Sequence, residues 1–211
     1  ALLFRKKYVE ILSKETHTLY ITNELGERDY TRDILHVEVK IEEHPIHILV
    51  NHWPSRRSGT EETSHKRVAA ASKNLEIINS VLQVNSNARI VIMGDFNDDP
   101  HSESIKKLTS DFLYNPMEVL FSKYEGSLSH RETWHLFDQI IISHNFLQGA
   151  PNLFQFKSAH IYNPREIKEA KERFKHLPLR TFLGKKYLGG FSDHFPVYTV
   201  FSMIARKSSN D

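Results

Sequence analysis

Two polar segments that border apolar runs constrain the fold of this chain most strongly. Segment 94–97 (Gly-Asp-Phe-Asn) follows the apolar run 89–93, and segment 192–196 (Ser-Asp-His-Phe-Pro) precedes the apolar run 197–201. Because a buried strand has a rigid backbone, polar groups at its end can be aimed at one point. Carboxylate, amide and imidazole groups suit a phosphate and a hard metal ion. The sequence therefore predicts a site built at strand ends.

The composition narrows the class of protein. A length of 211 residues suits one domain, 1–211, with a sizeable core. Hydrophobic residues make up 39% and charged residues 26%, as in soluble globular proteins. No apolar run approaches the roughly 20 residues of a membrane helix, so we expect no membrane span. The absence of cysteine leaves only oxygen and nitrogen ligands for a metal. The compartment, cytoplasmic or exported with a signal outside this chain, and the oligomeric state stay open.

Basic residues are concentrated in one part of the chain. The net charge is only +2, too small to indicate a nucleic-acid-binding protein by itself. Between Lys157 and Lys186, however, nine basic residues stand against three acidic ones, a local excess of +6. One interpretation is a solvated helix face over 165–175, where Glu and Lys alternate. The other is an anion-attracting rim beside a site, to which Arg180 and Lys185 would contribute with Lys186.

Apolar periodicity predicts an α/β domain with mostly antiparallel strands. Runs 34–41 and 46–50 predict an antiparallel hairpin. Ser64 is expected to cap a helix over 65–84, which leads into a strand over 89–93. The apolar face of this helix is predicted to contain Val68, Ala71, Leu75, Ile78 and Leu82. Further along we predict strands over 134–143, 153–159 and 195–201, and a helix over 164–174 with Pro at its first turn.

Asp138 is a polar residue that strand propensity does not explain, since it lies within the apolar run 136–142. An unpaired buried carboxylate is costly, so we expect a partner for it. Asp193 and His194 offer one, because a carboxylate that binds an imidazole fixes its tautomer and raises its basicity, as a general base requires. A local arginine is the alternative partner.

Other polar residues complete a candidate site. His52 follows the strand 46–50 and either donates to a phosphoryl oxygen or is a structural histidine, while Asp95 and Asn97 add an acceptor and an amide donor. Without a cysteine or serine nucleophile motif, this set suits phosphoester hydrolysis by water at a metal-polarised phosphate. Arg67 is interpreted as a helix-surface or supporting residue rather than a substrate ligand. Trp134 is interpreted as a core residue rather than a stacking platform. The remaining histidines, among them His17, His36 and His47, show no metal-ligand spacing and receive no role.

Four segments carry a resemblance to a known family. Segments 50–55 (Val-Asn-His-Trp-Pro-Ser), 94–98 (Gly-Asp-Phe-Asn-Asp), 137–140 (Phe-Asp-Gln-Ile) and 192–197 (Ser-Asp-His-Phe-Pro-Val) resemble, in order and spacing, the motifs of the endonuclease/exonuclease/phosphatase superfamily, in particular of its bacterial members. The resemblance implies the deoxyribonuclease-I-like fold, a four-layer α/β sandwich of two antiparallel-rich sheets flanked by helices.

The resemblance also implies roles for the matching residues. Asp138 would orient His194, which would act as the general base toward water. Asp95 would help to activate the nucleophile or hold the metal, and His52 would bind phosphate or assist the leaving oxygen.

Metal and substrate ligands are implied in the same way. Asp193 would join Asp95 in the metal environment, and the ion would be Mg²⁺ or Mn²⁺. Asn97 and Arg56 would bind substrate phosphate. The partner would be a phosphate-containing substrate, with nucleic acid among the candidates.

One departure from the family limits this interpretation. Family members begin with a strand that ends in Asn and a later strand that ends in a metal-binding Glu, and both would lie upstream of this chain. We expect residues 1–211 to be the C-terminal two-thirds of the domain. Glu10, Glu15, Glu24 and Glu27 are not expected to replace the missing Glu. Two function classes follow: a nuclease-like phosphoesterase acting on DNA, RNA, inositol phosphate or phospholipid, or an incomplete, non-catalytic module that binds phosphorylated ligands.

Overall fold

A computed structural model describes residues 1–22, 25–57, 59–109, 112–149, 153–171 and 174–203. Within these residues the α-helices are α1 (Ser64–Val84) and α2 (Glu103–Leu108). Single 3₁₀ turns lie at Glu118–Leu120, His144–Phe146 and Arg165–Ile167. The strands are, in chain order, β1 (Val9–His17), β2 (Ile21–Thr22), β3 (Arg28–Asp29), β4 (Ile34–Ile41), β5 (His44–His52), β6 (Ile90–Asp95), β7 (Leu113–Tyr114), β8 (Leu128–His130), β9 (Thr133–His135), β10 (Asp138–Ser143), β11 (Phe154–Ile161), β12 (Phe182–Leu183), β13 (Lys186–Tyr187) and β14 (Val197–Met203).

The central sheet has the strand order β1-β4-β5-β6-β10-β7. Its neighbours run antiparallel except for β5 and β6, which are parallel and are connected through α1. A parallel pair requires such a crossover, whereas β4 and β5 form the predicted hairpin. The mixed, mostly antiparallel sheet with few helices confirms the predicted α/β fold class.

Helix α1 covers one face of the central sheet. Its buried residues Ala70 and Ile77 belong to the same apolar cluster as Leu49, Ile90 and Ile92 of β5 and β6. The predicted helix is therefore confirmed, but its cap is not. Thr63 precedes the helix without a side-chain capping hydrogen bond, and the helix begins at Ser64 itself.

The buried face of α1 differs from the predicted one. Ala71 and Ile78 are buried as expected, but Val68 is only half-buried. Arg67 and Asn74 are buried instead. The physical reason is that both side chains form hydrogen bonds inside the protein, which offset the cost of burying polar groups.

A second sheet covers the opposite face. Strands β11 and β14 pair antiparallel, and their residues Phe156, Val197 and Phe201 pack against a buried cluster that includes Val39 and Ile140 of the central sheet. The predicted strands over 153–159 and 195–201 are thus confirmed, each displaced by one or two residues. The core lies in two layers, one on each side of the central sheet.

The predicted continuous strand over 134–143 is wrong. The chain forms β9 in a two-stranded sheet with β8 and then, after residues 136–137, enters the central sheet as β10 at Asp138. The reason is local: the backbone N–H of Leu136 donates to Asp99 Oδ1 over 2.8 Å, and the carbonyl of Phe137 accepts from the N–H of Phe96 over 2.8 Å. These backbone groups are therefore satisfied outside a strand ladder. Asp138 starts a strand rather than interrupting one.

The predicted helix over 164–174 is also wrong. The described part of this segment contains a single 3₁₀ turn, and Glu172 and Arg173 lie outside the described residues. After the turn, the N–H of Glu169 donates to the carbonyl of Leu177, and that of Leu179 donates to Ile167. These contacts with residues 177–179, which follow the predicted helix, replace helical hydrogen bonds. A solvated helix face is therefore not the explanation for the basic residues.

Candidate active site

Three neighbouring strands bring polar residues to one end of the central sheet. In the strand register, Asp95 lies beside His52 of β5 on one side and beside Asp138 of β10 on the other. The distance between His52 Nε2 and Asp95 Oδ2 is 3.6 Å. The crossover through α1 places positions that are far apart in the sequence side by side here.

Gly94 allows β5 and β6 to approach each other closely at this end of the sheet. Its φ of 143° lies in the region that favours glycine, and an added Cβ would lie 1.9 Å from the carbonyl oxygen of Asn51. A larger residue would force the two strands apart. Gly94 thereby sets the position of Asp95, which follows it directly.

His194 reaches this strand end from the loop before β14. The distance between His194 Nδ1 and Asp138 Oδ2 is 2.6 Å, so Asp138 pairs with this histidine and not with a local arginine. The next residue anchors the loop: the Phe195 side chain is buried and stacks on Trp134, with 6.1 Å between ring centroids. Its N–H donates to the carbonyl of Ser127 over 2.6 Å. The interpretation of Trp134 as a core residue is confirmed.

The loop after β6 is fixed by local hydrogen bonds. The backbone N–H of Asn97 donates to Asp95 Oδ1 over 2.8 Å, and the Asn97 side-chain amide donates to the carbonyl of Trp53 over 3.0 Å. Arg56 donates from Nε to the carbonyl of Asn97 over 2.7 Å and from Nη2 to Asp98 over 2.6 Å. Its guanidinium lies over the ring of Phe137, 4.5 Å from the centroid. Arg56 thus holds the loop that carries Asp95 and Asn97.

Sequence reasoning missed a buried ion-pair network behind this loop. Arg67 is only 1% exposed, and its Nε lies 2.8 Å from Asp98 Oδ2, so its interpretation as a surface residue is wrong, whereas its supporting role fits. Asp99 accepts from the Leu136 N–H and lies 2.9 Å from His135 Nδ1. The adjacent acidic residues after Asn97 were the available signal. The network joins α1 and the β9–β10 connection to the loop.

All predicted site residues except Asp138, which lies behind His194, line one cleft of about 1010 Å³. His52, Asp95, Asn97, Asp193 and His194 all contribute to its wall, as does Arg56. Its remaining charged residues are the arginines Arg32, Arg57 and Arg131. Arg180, Lys185 and Lys186 do not line this cleft, and the last belongs to the exposed hairpin of β12 and β13. The cations beside the candidate site therefore come from other parts of the chain than the basic segment.

The pKa values of the two site histidines, His194 and His52, are shifted in opposite directions. Burial by itself would lower the pKa of His194, but the hydrogen bond with Asp138 and the charges of Asp138 and Asp95 outweigh burial, so the pKa is raised. Burial lowers the pKa of His52, and the charge of Asp95 only partly opposes this shift. Groups whose environments separate their pKa values are suited to different proton-transfer roles.

The donor atoms fit a hard divalent ion. Burial and the nearby charge of Asp138 raise the pKa of Asp95, so a cation at this carboxylate would offset an unfavourable charge. Asp95, Asp138 and His194 each offer one ligand atom, and these atoms lie within 4.8 Å of one another. Asp193 faces the same cleft. Proteins bind Mg²⁺ through one or two carboxylates together with substrate phosphates, which matches this set.

The family follows from the sequence. Residues 1–203 match the family model described as endonuclease/exonuclease/phosphatase family, and the chain belongs to this family. The predicted resemblance is thereby confirmed. No curated protein matches the chain in a sequence search.

Several solved structures share the fold of this chain. An endonuclease/exonuclease/phosphatase family protein from Bacteroides thetaiotaomicron superposes with a TM-score of 0.62 at 17% identity over 94% of this chain and 65% of its own. A mannosyl-6-phosphatase from the same organism gives 0.62 at 18% identity, over 95% and 69%. TDP2 of D. rerio, complexed with a single-strand DNA product, gives 0.57 at 15% identity, over 94% and 70%. At these identities the likeness concerns the fold.

This chain spans 65% of the length of the first of these structures. Four glutamates were considered as replacements for the upstream metal ligand. Glu10 and Glu15 lie on β1, and neither they nor Glu27 line the cleft. Glu24 lies outside the described residues. Among the residues that the structure describes, no helix is both long and apolar enough to cross a membrane.

Proposed function

We propose that this chain is the larger part of a divalent-metal-dependent phosphoesterase, which hydrolyses phosphodiester or phosphomonoester bonds with nuclease-like activity as the leading candidate. The observation that carries the proposal is the 2.6 Å hydrogen bond between His194 and Asp138 beside Asp95. An imidazole held by one carboxylate and flanked by a second is the arrangement that a general base toward water needs.

His194 is the proposed general base. Because a carboxylate only accepts hydrogen bonds, the hydrogen between the two residues belongs to Nδ1 of His194. That tautomer leaves Nε2 free to take a proton from water. Asp138 orients the ring and stabilises the imidazolium that forms, as the raised pKa of His194 indicates.

Asp95 and Asp193 are the proposed ligands of Mg²⁺ or Mn²⁺. The ion, when bound, would supply Lewis-acid polarisation of a phosphoryl oxygen. His52, with its lowered pKa, is neutral near pH 7 and donates to a phosphate oxygen or assists the leaving oxygen. Asn97 binds phosphate through the amide hydrogen that Trp53 does not use, and Arg56 places its guanidinium beside it.

The charge of the cleft supports an anionic substrate. Four arginines line it together with the carboxylates of Asp95 and Asp193, so the wall keeps a positive excess. Binding of nucleic acid depends on such cations near the phosphate backbone. One structural relative is a mannosyl-6-phosphatase and another holds a DNA product, so both monoesters and diesters belong in the substrate panel.

The second candidate function is a module that binds phosphorylated ligands without hydrolysing them. Two observations favour it: this chain covers only 65% of the length of a solved structure with the same fold, and Glu10, Glu15 and Glu27 lie outside the cleft. We infer that residues 1–211 form one domain that corresponds to the C-terminal two-thirds of the family domain.

Hydrolysis assays distinguish the two functions. The 211-residue chain, and any longer form that its gene encodes, would be incubated with bis-p-nitrophenyl phosphate, p-nitrophenyl phosphate, an oligonucleotide and an inositol phosphate in Mg²⁺, Mn²⁺ or excess EDTA. Metal-dependent turnover that His194→Ala abolishes supports the enzyme. Saturable binding of the same ligands without turnover in either metal supports the module. Turnover that persists in EDTA contradicts the metal assignment.

A further inference from the structure

A second cleft, of about 530 Å³, lies on the face of the central sheet that α1 covers. Its sheet side is formed by β1, β4 and β5, and its helix side by residues of the C-terminal half of α1, among them Ile77 and Val81. Ile34 and Leu49 on the same sheet face belong to the apolar core under α1. The cleft shares no lining residue with the candidate active site.

Three histidines from three strands meet in this second cleft. His17 comes from β1, His36 from β4 and His47 from β5. Two carboxylates accompany them through the strand register, because Glu15 lies opposite His36 and Glu38 lies opposite His47. Alternation along a strand makes this face of the sheet apolar under α1, so a cluster of imidazoles beside it calls for a partner.

The imidazole nitrogens and one carboxylate lie close to one another. His36 Nε2 is 3.1 Å from His47 Nδ1, and His17 Nε2 is 3.6 Å from Glu15 Oε2. Glu15, His17 and His36 each offer one ligand atom, and these atoms lie within 4.8 Å of one another. Two nitrogens on one tetrahedral zinc ion, each about 2.1 Å from the metal, are about 3.4 Å apart. The hydrogen-bonded pair His36 and His47 already has nearly this spacing, and a bound ion would take the place of the hydrogen between the two nitrogens.

One of these nitrogens lacks a hydrogen-bonding partner in the described part of the chain. His17 Nε2 is buried and forms no hydrogen bond with any residue of the described ranges. The 3.6 Å between this atom and Glu15 Oε2 is too long for a hydrogen bond. A buried polar atom of this kind is rare in proteins unless water, an ion or a ligand satisfies it.

We propose that Glu15, His17, His36 and His47 form a second metal site, of the zinc class, separate from the catalytic cleft. Three imidazoles and one carboxylate make a closed four-ligand set without cysteine, which suits Zn²⁺ and disfavours Mg²⁺. Glu38 Oε1 lies 4.0 Å from the second nitrogen of His47, Nε2, so a small rotation of the Glu38 side chain would let it orient the ring as an outer carboxylate. The ion would join the edge strand β1 to β4 and β5.

The electrostatics of the cluster agree with metal binding. Burial lowers the pKa of His36, with a further contribution from His47 and His17, and burial lowers the pKa of His47. Burial thus disfavours the protonated form of both rings, and metal binding requires the neutral imidazole. Glu15 is 69% exposed, so its side chain can rotate toward an ion without disturbing the core.

Zinc retention tests the site directly. The protein would carry Asp95→Asn and His194→Gln, which change two of the three side chains at the candidate active site that could offer an atom to a metal, and would be dialysed against Zn²⁺ in excess Mg²⁺. We expect one Zn²⁺ to be retained per chain. Glu15→Gln and His36→Gln should weaken its affinity by about 100-fold or more, and Glu38→Gln by about 10- to 100-fold. Glu10→Gln is the matched control, because Glu10 is an exposed carboxylate on the same strand that pairs with Lys40.

Thermal melting gives a second readout that does not depend on the catalytic site. Zn²⁺ at about 100 times its Kd should raise the Tm by about 5–10 °C. This rise should disappear in Glu15→Gln, an exposed substitution that leaves folding intact, and should persist in Glu10→Gln. Absence of retained Zn²⁺ would overturn the proposal, as would equal retention by Glu15→Gln, His36→Gln and Glu10→Gln.

Discussion

His194 donates its Nδ1 hydrogen to Asp138 over 2.6 Å, which joins the loop before β14 to the first residue of β10. The two residues are 56 positions apart in the sequence. Their contact depends on the anchoring of Phe195 against Trp134 and Ser127. The same hydrogen bond orients the proposed general base and contributes to the stability of the fold.

The pH dependence of stability should reveal this link. The pKa of His194 is raised in the folded protein, so its contribution to stability is full below the unfolded pKa of about 6.5 and is lost as the pH rises through the raised value. The Tm difference between the wild-type protein and His194→Gln should therefore shrink from acidic to alkaline pH in thermal melts.

His52→Gln is the internal control for that experiment. The pKa of His52 is lowered, so the folded protein disfavours its protonation and loses stability as the pH falls through the unfolded pKa. The Tm difference between the wild-type protein and His52→Gln should grow with pH. Parallel trends for the two variants would contradict the opposite pKa shifts.

Asp95→Asn should raise the Tm and abolish metal-dependent hydrolysis. Burial and the charge of Asp138 raise the pKa of Asp95, so its ionisation destabilises the fold above the unfolded pKa of about 3.9. In EDTA at neutral pH we expect Asp95→Asn to melt at a higher temperature than the wild-type protein, with a smaller difference near pH 4. Metal-dependent hydrolysis should be lost. Asp193→Asn, at an exposed position of the same cleft, serves as the comparison, and a lower Tm for Asp95→Asn at neutral pH would contradict the account.

The arginines of the cleft should control the binding of polyanionic substrates. The double variant Arg57→Ala/Arg131→Ala should raise the KM for an oligonucleotide. The slope of log KM against log salt concentration should become shallower by about 0.7 for each phosphate that the variant no longer neutralises. The effect on bis-p-nitrophenyl phosphate should be smaller. The control is the triple alanine variant of Arg180, Lys185 and Lys186, which lie outside the cleft. Equal effects of the two variants would show that the basic segment also binds substrate.

Strand-end residues were predictable because apolar runs have visible ends. Asp95 follows such a run, and Asp138 needed a partner whose chemistry pointed to His194. The burial of Arg67 was not predictable, because helix periodicity assigns charged residues to the solvent face and the buried partner Asp98 lies 31 positions away. The prediction of a helix over 164–174 was wrong because the spacing of Glu and Lys reports only local helix propensity. In the structure this part of the chain forms hydrogen bonds with residues 177–179 instead.

The cluster of His17, His36 and His47 also escaped sequence reasoning. Metal-binding motifs are recognised by spacing along one chain segment, whereas these ligands come together across three strands. Only the register of β1, β4 and β5 shows that the three side chains share one face.

A double-mutant cycle on Asp138 and His194 tests the central claim most directly. The kcat of metal-dependent hydrolysis would be measured for Asp138→Asn, His194→Ala and the double variant. We expect each single substitution to lower kcat by about 10²- to 10⁴-fold, and the double variant to be little slower than the slower single variant, because the two residues act as one unit. Losses that multiply in the double variant would contradict the assignment of Asp138 and His194 as a coupled general base.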